Sequence, residues 1–266
     1  MRRVAHYSDM RTKQDQRHVE DTLSLNRQSR VEQDFKAFAS DERIDTCIMI
    51  RGKYQEETDI NAKRLTCMMF EVVYEYVLDT NRAMVDVLKE VAKFAVVKGP
   101  NIGHDCFKKK MAKQRTEGQT MPFEVPLCGS GSEYPRDVVD VVLLAIKELA
   151  PKIDTDIFLE DVKQKISQEL KKEQSPELVK LVDAQLNDYL KACITLTWRM
   201  VTQAPPLRLE YQSFTYKREC HKIVESHGDA RDGRSMYQNE KVNYLWPGLV
   251  DGGGRIIVKG EVALEK

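Results

Sequence analysis

The sequence predicts a mainly α fold, a single domain of about six to eight helices with a short two-strand element near the C-terminus. Three observations carry this reading. Helix breakers are spread unevenly: residues 1–99 hold no Pro and only Gly52 and Gly99, and no Gly lies between Ser132 and His227. Apolar residues recur at helical spacing through most of the chain. Beyond Pro205-Pro206 that spacing gives way to short alternating runs.

Residues 1–30 carry seven basic and four acidic side chains without an apolar stripe, so residues 1–28 are expected to form a flexible basic leader ahead of a domain spanning 29–266. A first helix is expected from about Ser29 to Ile50, with Val31, Phe35, Phe38, Ile44 and Ile48 along one face. Two amphipathic helices follow, one through Leu65, Met69, Val72 and Tyr76, the other through Met84, Leu88, Val91 and Ala95. Asp79-Thr80-Asn81 is read as the cap between them. Gly99-Pro100-Asn101 ends this block, residues 104–117 form a short basic helix, and Gly118 to Pro135 is a long loop.

An apolar helix is expected from Val138 to Leu149 and an acidic one from about Asp154 to Lys172. A long helix then opens at Ser175-Pro176-Glu177, where Pro suits the first helical position and Glu complements the dipole, and runs to about Thr202. Pro205-Pro206 stops it. Leu207 to Tyr211 and Ile256 to Val262 are expected to supply the strand pair. The centres of the apolar stripes, Leu65, Val72, Leu88, Val142, Ile146, Leu186 and Leu190, are expected to be fully buried.

Lys and Arg number 42, and so do Asp and Glu, a balance that argues against a general polyanion binder or nucleic-acid partner and confines any anion-binding surface to a local patch. No apolar stretch approaches the roughly 20 residues a membrane-spanning helix needs, and no h-region follows Met1-Arg2-Arg3. The six Cys show no paired spacing, so reduced cytosolic thiols are the expectation.

Catalytic and metal-binding patterns are absent from the sequence: there is no Walker loop, HExxH, GxSxG or CxxC. Gly129-Ser130-Gly131 lacks the context of a phosphate cradle and reads as loop. Cys220, His221 and His227, like His104 with Cys106, fall short of a zinc set, and His221 reads as a surface or partly buried helix residue. Asp154 and Asp156 suit a helix start. Neither an enzyme, a cofactor nor a metal is expected. Trp198 reads as core, whereas Trp246, in Tyr244-Leu-Trp-Pro-Gly-Leu249, either lays its ring over the helical body or anchors at a membrane interface.

The densest single-sign run is Lys108, Lys109, Lys110, Lys113 and Arg115. Residues 98–115 hold six basic side chains and one acid. On a helix Lys109 and Lys113 would repel at i and i+4, which either an acidic neighbour such as the Asp154 to Glu173 helix or an anionic lipid surface would relieve. These five residues are the expected lipid-binding site.

Trp198-Arg-Met-Val-Thr-Gln-Ala-Pro-Pro206, Tyr244 to Leu249, and Gly252-Gly-Gly-Arg-Ile-Ile-Val-Lys-Gly-Glu-Val262 follow one another in an order that resembles the C-terminal domain of the mitochondria-eating protein family, with a looser echo in Ser29 to Phe35. The resemblance implies a mainly helical, cardiolipin-recognising domain that takes part in mitochondrial quality control, usually behind an N-terminal coiled coil. No heptad run precedes Ser29 here, so a shorter relative or an excised domain is expected. The resulting expectation is a peripheral anionic-lipid (cardiolipin) binding module in the cytoplasm, associated with mitochondria. A structural or protein-interaction adaptor is the alternative, and homo-oligomerisation stays open.

Overall fold

The computed structural model describes residues 24, 26–53, 58–95, 136–172, 176–225 and 240–264. Seven α-helices occur among them: α1 (Gln28–Ser40), α2 (Glu42–Lys53), α3 (Asp59–Ala95), α4 (Arg136–Leu149), α5 (Asp156–Lys172), α6 (Pro176–Gln185) and α7 (Asn187–Val201). Six strands follow: β1 (Arg208–Glu210), β2 (His221–Glu225), β3 (Val242–Trp246), β4 (Gly248–Val250), β5 (Ile256–Val258) and β6 (Gly260–Leu264). The described residues divide into two compact units, those within 80–145 forming one and those within 1–79 and 146–266 the other. Within the smaller unit Ala92 and Val139 are buried.

The mainly α reading holds, with differences at the joints. The first expected helix is two, because Asp41 leaves helical geometry (φ −111°, ψ −84°) between α1 and α2. The two helices expected on either side of Asp79-Thr80-Asn81 are one, α3, since three residues of modest propensity cost less than breaking a hydrogen-bonded ladder. The long helix expected from Pro176 breaks at Leu186 (φ −97°, ψ 13°), a fully buried residue, so no Gly or Pro announces the bend. The expected two-strand element is two three-stranded sheets, ordered β1-β4-β5 and β2-β6-β3. Residues 256–262 are divided between them, and β1 pairs with β4 rather than with this segment.

Helix α7 is the axis of the larger unit. Leu190, Cys193, Ile194, Leu196, Thr197, Trp198, Met200 and Val201 are buried around nearly its whole circumference, as a helix enclosed by neighbours requires. It packs on α1, α2, α5 and α6. Trp198 is core, as expected, with its ring 5.7 Å from Phe158 of α5. Leu65, Leu186 and Leu190 are also buried, whereas Val72, Leu88, Val142 and Ile146 are only partly covered. Ser24 and Asn26, expected to end the flexible leader, are buried. Asn26 donates to Lys147 O (2.9 Å), accepts from Arg199 Nε (3.1 Å), and its carbonyl accepts from Gln203 Nε2 (2.9 Å).

The strands are joined to the helices by Trp246. Its ring lies 4.7 Å from Phe70 of α3, and 5.9 and 5.8 Å from Phe35 and Phe38 of α1, centroid to centroid. Of the two readings of this Trp, burial against the helical body is the one found; its ring is 1% exposed, which corrects the interfacial anchor. Register shifts between Tyr244 and Trp246, so Leu245 bulges out of the β3–β6 ladder. Arg43 of α2, itself only 1% exposed, donates from Nη2 to the freed Leu245 carbonyl (3.0 Å) and from Nη1 to Glu261 (2.7 Å). Its guanidinium lies 5.0 Å from the Trp246 centroid. The sheets approach at Gly248 and Gly260, where a Cβ on Gly260 would meet Tyr244 Cε1 at 2.9 Å and Gly248 N at 3.1 Å.

Replacing Trp246 with Ala should cost about 3–5 kcal/mol in urea unfolding. Trp246 Nε1 makes no hydrogen bond to the described residues, so W246F loses only ring volume and should cost less than half as much.

Candidate functional site

A cavity of about 520 Å³ opens between α3 and the segments 211–214 and 242–244 of the larger unit. Helix α3 supplies Arg64, Cys67, Met68 and Glu71, which share a face by their spacing of three, four and seven residues. The opposite wall is Tyr211, Ser213, Phe214, Asn243 and Tyr244. The position of α3 follows from packing: Phe70 sits on Trp246, and the Tyr189 hydroxyl of α7 donates to Thr66 O (3.0 Å).

Glu71 is the chemically distinctive residue of the cavity. Burial raises its carboxyl to about 7; the hydrogen bond from Cys67 Sγ (3.1 Å) opposes the rise, and the negative charge of Glu75 adds to it. Glu75 in turn accepts a hydrogen bond from the Tyr211 hydroxyl. Burial, reinforced by Glu71, pushes the Cys67 thiol well above its ordinary value, so it stays protonated and acts as a donor.

Behind the opposite wall runs a second polar chain. The Lys217 backbone N–H donates to His221 Nδ1 (3.0 Å), which leaves the ring proton on Nε2 to donate to the Tyr244 hydroxyl (2.7 Å). Tyr244 donates onward to Glu210 Oε1 (3.2 Å), which also accepts from Ser213 Oγ (2.7 Å). Burial lowers the His221 pKa and raises that of Tyr244, whose rise the Glu210 charge reinforces, so both stay neutral at neutral pH. His221 therefore corrects the sequence reading. It stands on β2, not on a helix, and is 2% exposed.

Lys108, Lys109, Lys110, Lys113 and Arg115 lie outside the described residues, as do His104, Cys106, His227 and the Gly129-Ser130-Gly131 turn. Asp154 takes the helix-start role expected of it, accepting the Asp156 N–H (3.1 Å) at the start of α5. Sequence reasoning missed Glu71 and Tyr244. The available signal was an acidic pair, Glu71 and Glu75, one turn apart and the only charged residues between Leu65 and Leu78, together with Cys67 one turn earlier.

A family model described as mitochondria-eating protein matches residues 128–264, just over half of the chain. No curated protein and no solved structure matches the chain. Among the described residues no helix is long and apolar enough to cross a membrane.

The raised Glu71 carboxyl makes a signed stability prediction. A carboxyl raised from 4.5 to about 7 binds its proton more tightly in the folded chain, so its contribution is complete below pH 4.5 and is lost as pH rises through 7. E71Q removes the ionisation and keeps an acceptor for Cys67. Urea unfolding should show E71Q and the natural chain alike near pH 4, and E71Q more stable by about 3 kcal/mol at pH 8. Equal stability at both pH values would contradict the burial of this carboxyl.

Proposed function

The chain belongs to the mitochondria-eating protein family, and from that membership we propose that it acts in mitochondrial quality control as a binding module rather than a catalyst. It engages anionic phospholipid, cardiolipin above all, peripherally from the cytoplasmic side. The family match over residues 128–264 is the observation that carries this reading.

Charge supports it. The run from Lys108 to Arg115 is a local excess in a chain of zero formal charge, and a Lys or Arg near an anionic leaflet contributes about 1 kcal/mol. The alternative use of that excess, balancing the acidic helix, is weakened by the partners its carboxylates already have. In α5, Asp156 pairs with Lys191 (2.7 Å), Asp161 accepts from Tyr76 (2.7 Å), and Glu169 pairs with Lys172 (2.7 Å). Nucleic acid is not a proposed partner, since the overall charge supplies no attraction for it. A second reading, a helical adaptor that binds protein instead of lipid, is favoured by Val141, Leu144 and Leu149, exposed at i, i+3 and i+8 of α4.

The test is vesicle flotation with cardiolipin and phosphatidylserine at matched charge. Cardiolipin binding should exceed phosphatidylserine binding and fall with salt. The triple reversal K109E/K110E/K113E should weaken it on the order of a hundredfold with the helical signal unchanged. Equal binding to both lipids removes the cardiolipin claim, and no vesicle binding leaves the adaptor.

A further inference from the structure

We propose that the cavity lined by Glu71 binds a small organic cation, its ammonium group held against the Glu71 carboxylate and flanked by the rings of Tyr211, Phe214 and Tyr244. At about 520 Å³ the cavity falls in the size range of small-molecule sites, roughly 300–1,000 Å³. Three aromatic rings and a carboxylate on its walls are the chemistry that recognises an alkylammonium: the ring faces attract the cation, and the carboxylate supplies the countercharge.

Each component is available for that role. One Glu71 oxygen accepts from Cys67, and among the described residues no group donates to the other. Phe214 is 82% exposed, whereas Phe35, Phe38, Phe70 and Phe158 are all buried, so its ring is an apolar surface presented at the cavity. Tyr244 is held in place by His221 and Glu210, which removes part of the ordering cost of binding.

The remaining charged groups are consistent with this assignment. Arg64 also lines the cavity, seven residues from Glu71 on the same helix face, but it is exposed, among the described residues no ion pair joins the two, and the raised Glu71 carboxyl answers to burial, Cys67 and Glu75 alone. Glu75 on α3 and Glu210 behind Tyr244 both add negative potential, while His221 is neutral. A bound cation favours the charged form of Glu71, so binding releases a proton and is coupled to pH.

The experiment is calorimetric titration of the full chain with choline and with n-butylammonium at pH 6 and pH 8. Inorganic phosphate and 3,3-dimethyl-1-butanol, the neutral shape analogue of choline, serve as comparisons. Saturable one-site binding of either ammonium probe is expected, about tenfold weaker at pH 6 than at pH 8 because only ionised Glu71 pairs with it. E71Q should lose at least tenfold in affinity. F214A, a change at an exposed position that leaves the core intact, should lose severalfold. The proposal is overturned if neither ammonium probe binds, if the neutral analogue or phosphate binds as tightly, or if E71Q binds choline and butylammonium as the natural chain does. It does not rest on the lipid reading, and vesicle flotation and this titration can fail separately.

Discussion

The guanidinium of Arg43 at the Leu245 bulge is the interaction on which the rest of the larger unit depends. A bulge leaves a backbone carbonyl without its ladder partner, and a buried carbonyl without a donor is costly. Arg43 supplies that donor and uses its other amino group on Glu261, so one side chain from α2 holds both β3 and β6. Burying a guanidinium is itself unfavourable, and among the described residues Arg43 Nε has no hydrogen-bond partner; the ion pair, the carbonyl and the Trp246 ring offset part of that cost, and removing one of them would leave the buried charge less compensated still. Geometry is therefore strict here. The N-terminal helices and the C-terminal strands fit in one register.

The same bulge positions the cavity. In a regular strand Tyr244 and Trp246, two residues apart, would share a face. The extra residue between them changes their relation: Trp246 enters the aromatic cluster with Phe35, Phe38 and Phe70, while Tyr244 reaches His221 and lines the cavity. Phe70 and Glu71 are adjacent on α3, so the contact that seats the helix on Trp246 also presents the carboxyl to the opposite wall. Core packing and site geometry are two consequences of one local irregularity.

Much of this fold was legible in the sequence because helical periodicity is a local signal. The apolar helix, the acidic helix, the start at Pro176 and the stop before Pro205 all lie close to their expected positions. What was missed depends on distant neighbours. The bend at Leu186 is set by the burial of that side chain and carries no Gly or Pro, and the continuity of α3 through Asp79-Thr80-Asn81 outweighs three weak propensities. Nothing local marks His221 as a strand residue; its parallel pairing with Gly260, 39 positions further along the chain, does. The cavity was not legible for the same reason, since its walls come from α3, from residues 211–214 and from residues 242–244.

The segment matching the family, residues 128–264, should therefore not be self-sufficient, because Arg43, Phe35, Phe38 and Phe70 all lie outside it. The most direct measurement is thermal unfolding of residues 128–264 expressed alone, followed by near-ultraviolet circular dichroism and tryptophan emission, with and without residues 24–95 added as a separate chain. The segment alone should show red-shifted emission and no cooperative transition, and the added chain should restore both. A cooperative melt with native emission from residues 128–264 by themselves would contradict the dependence of the C-terminal sheets on Arg43 and the aromatic cluster.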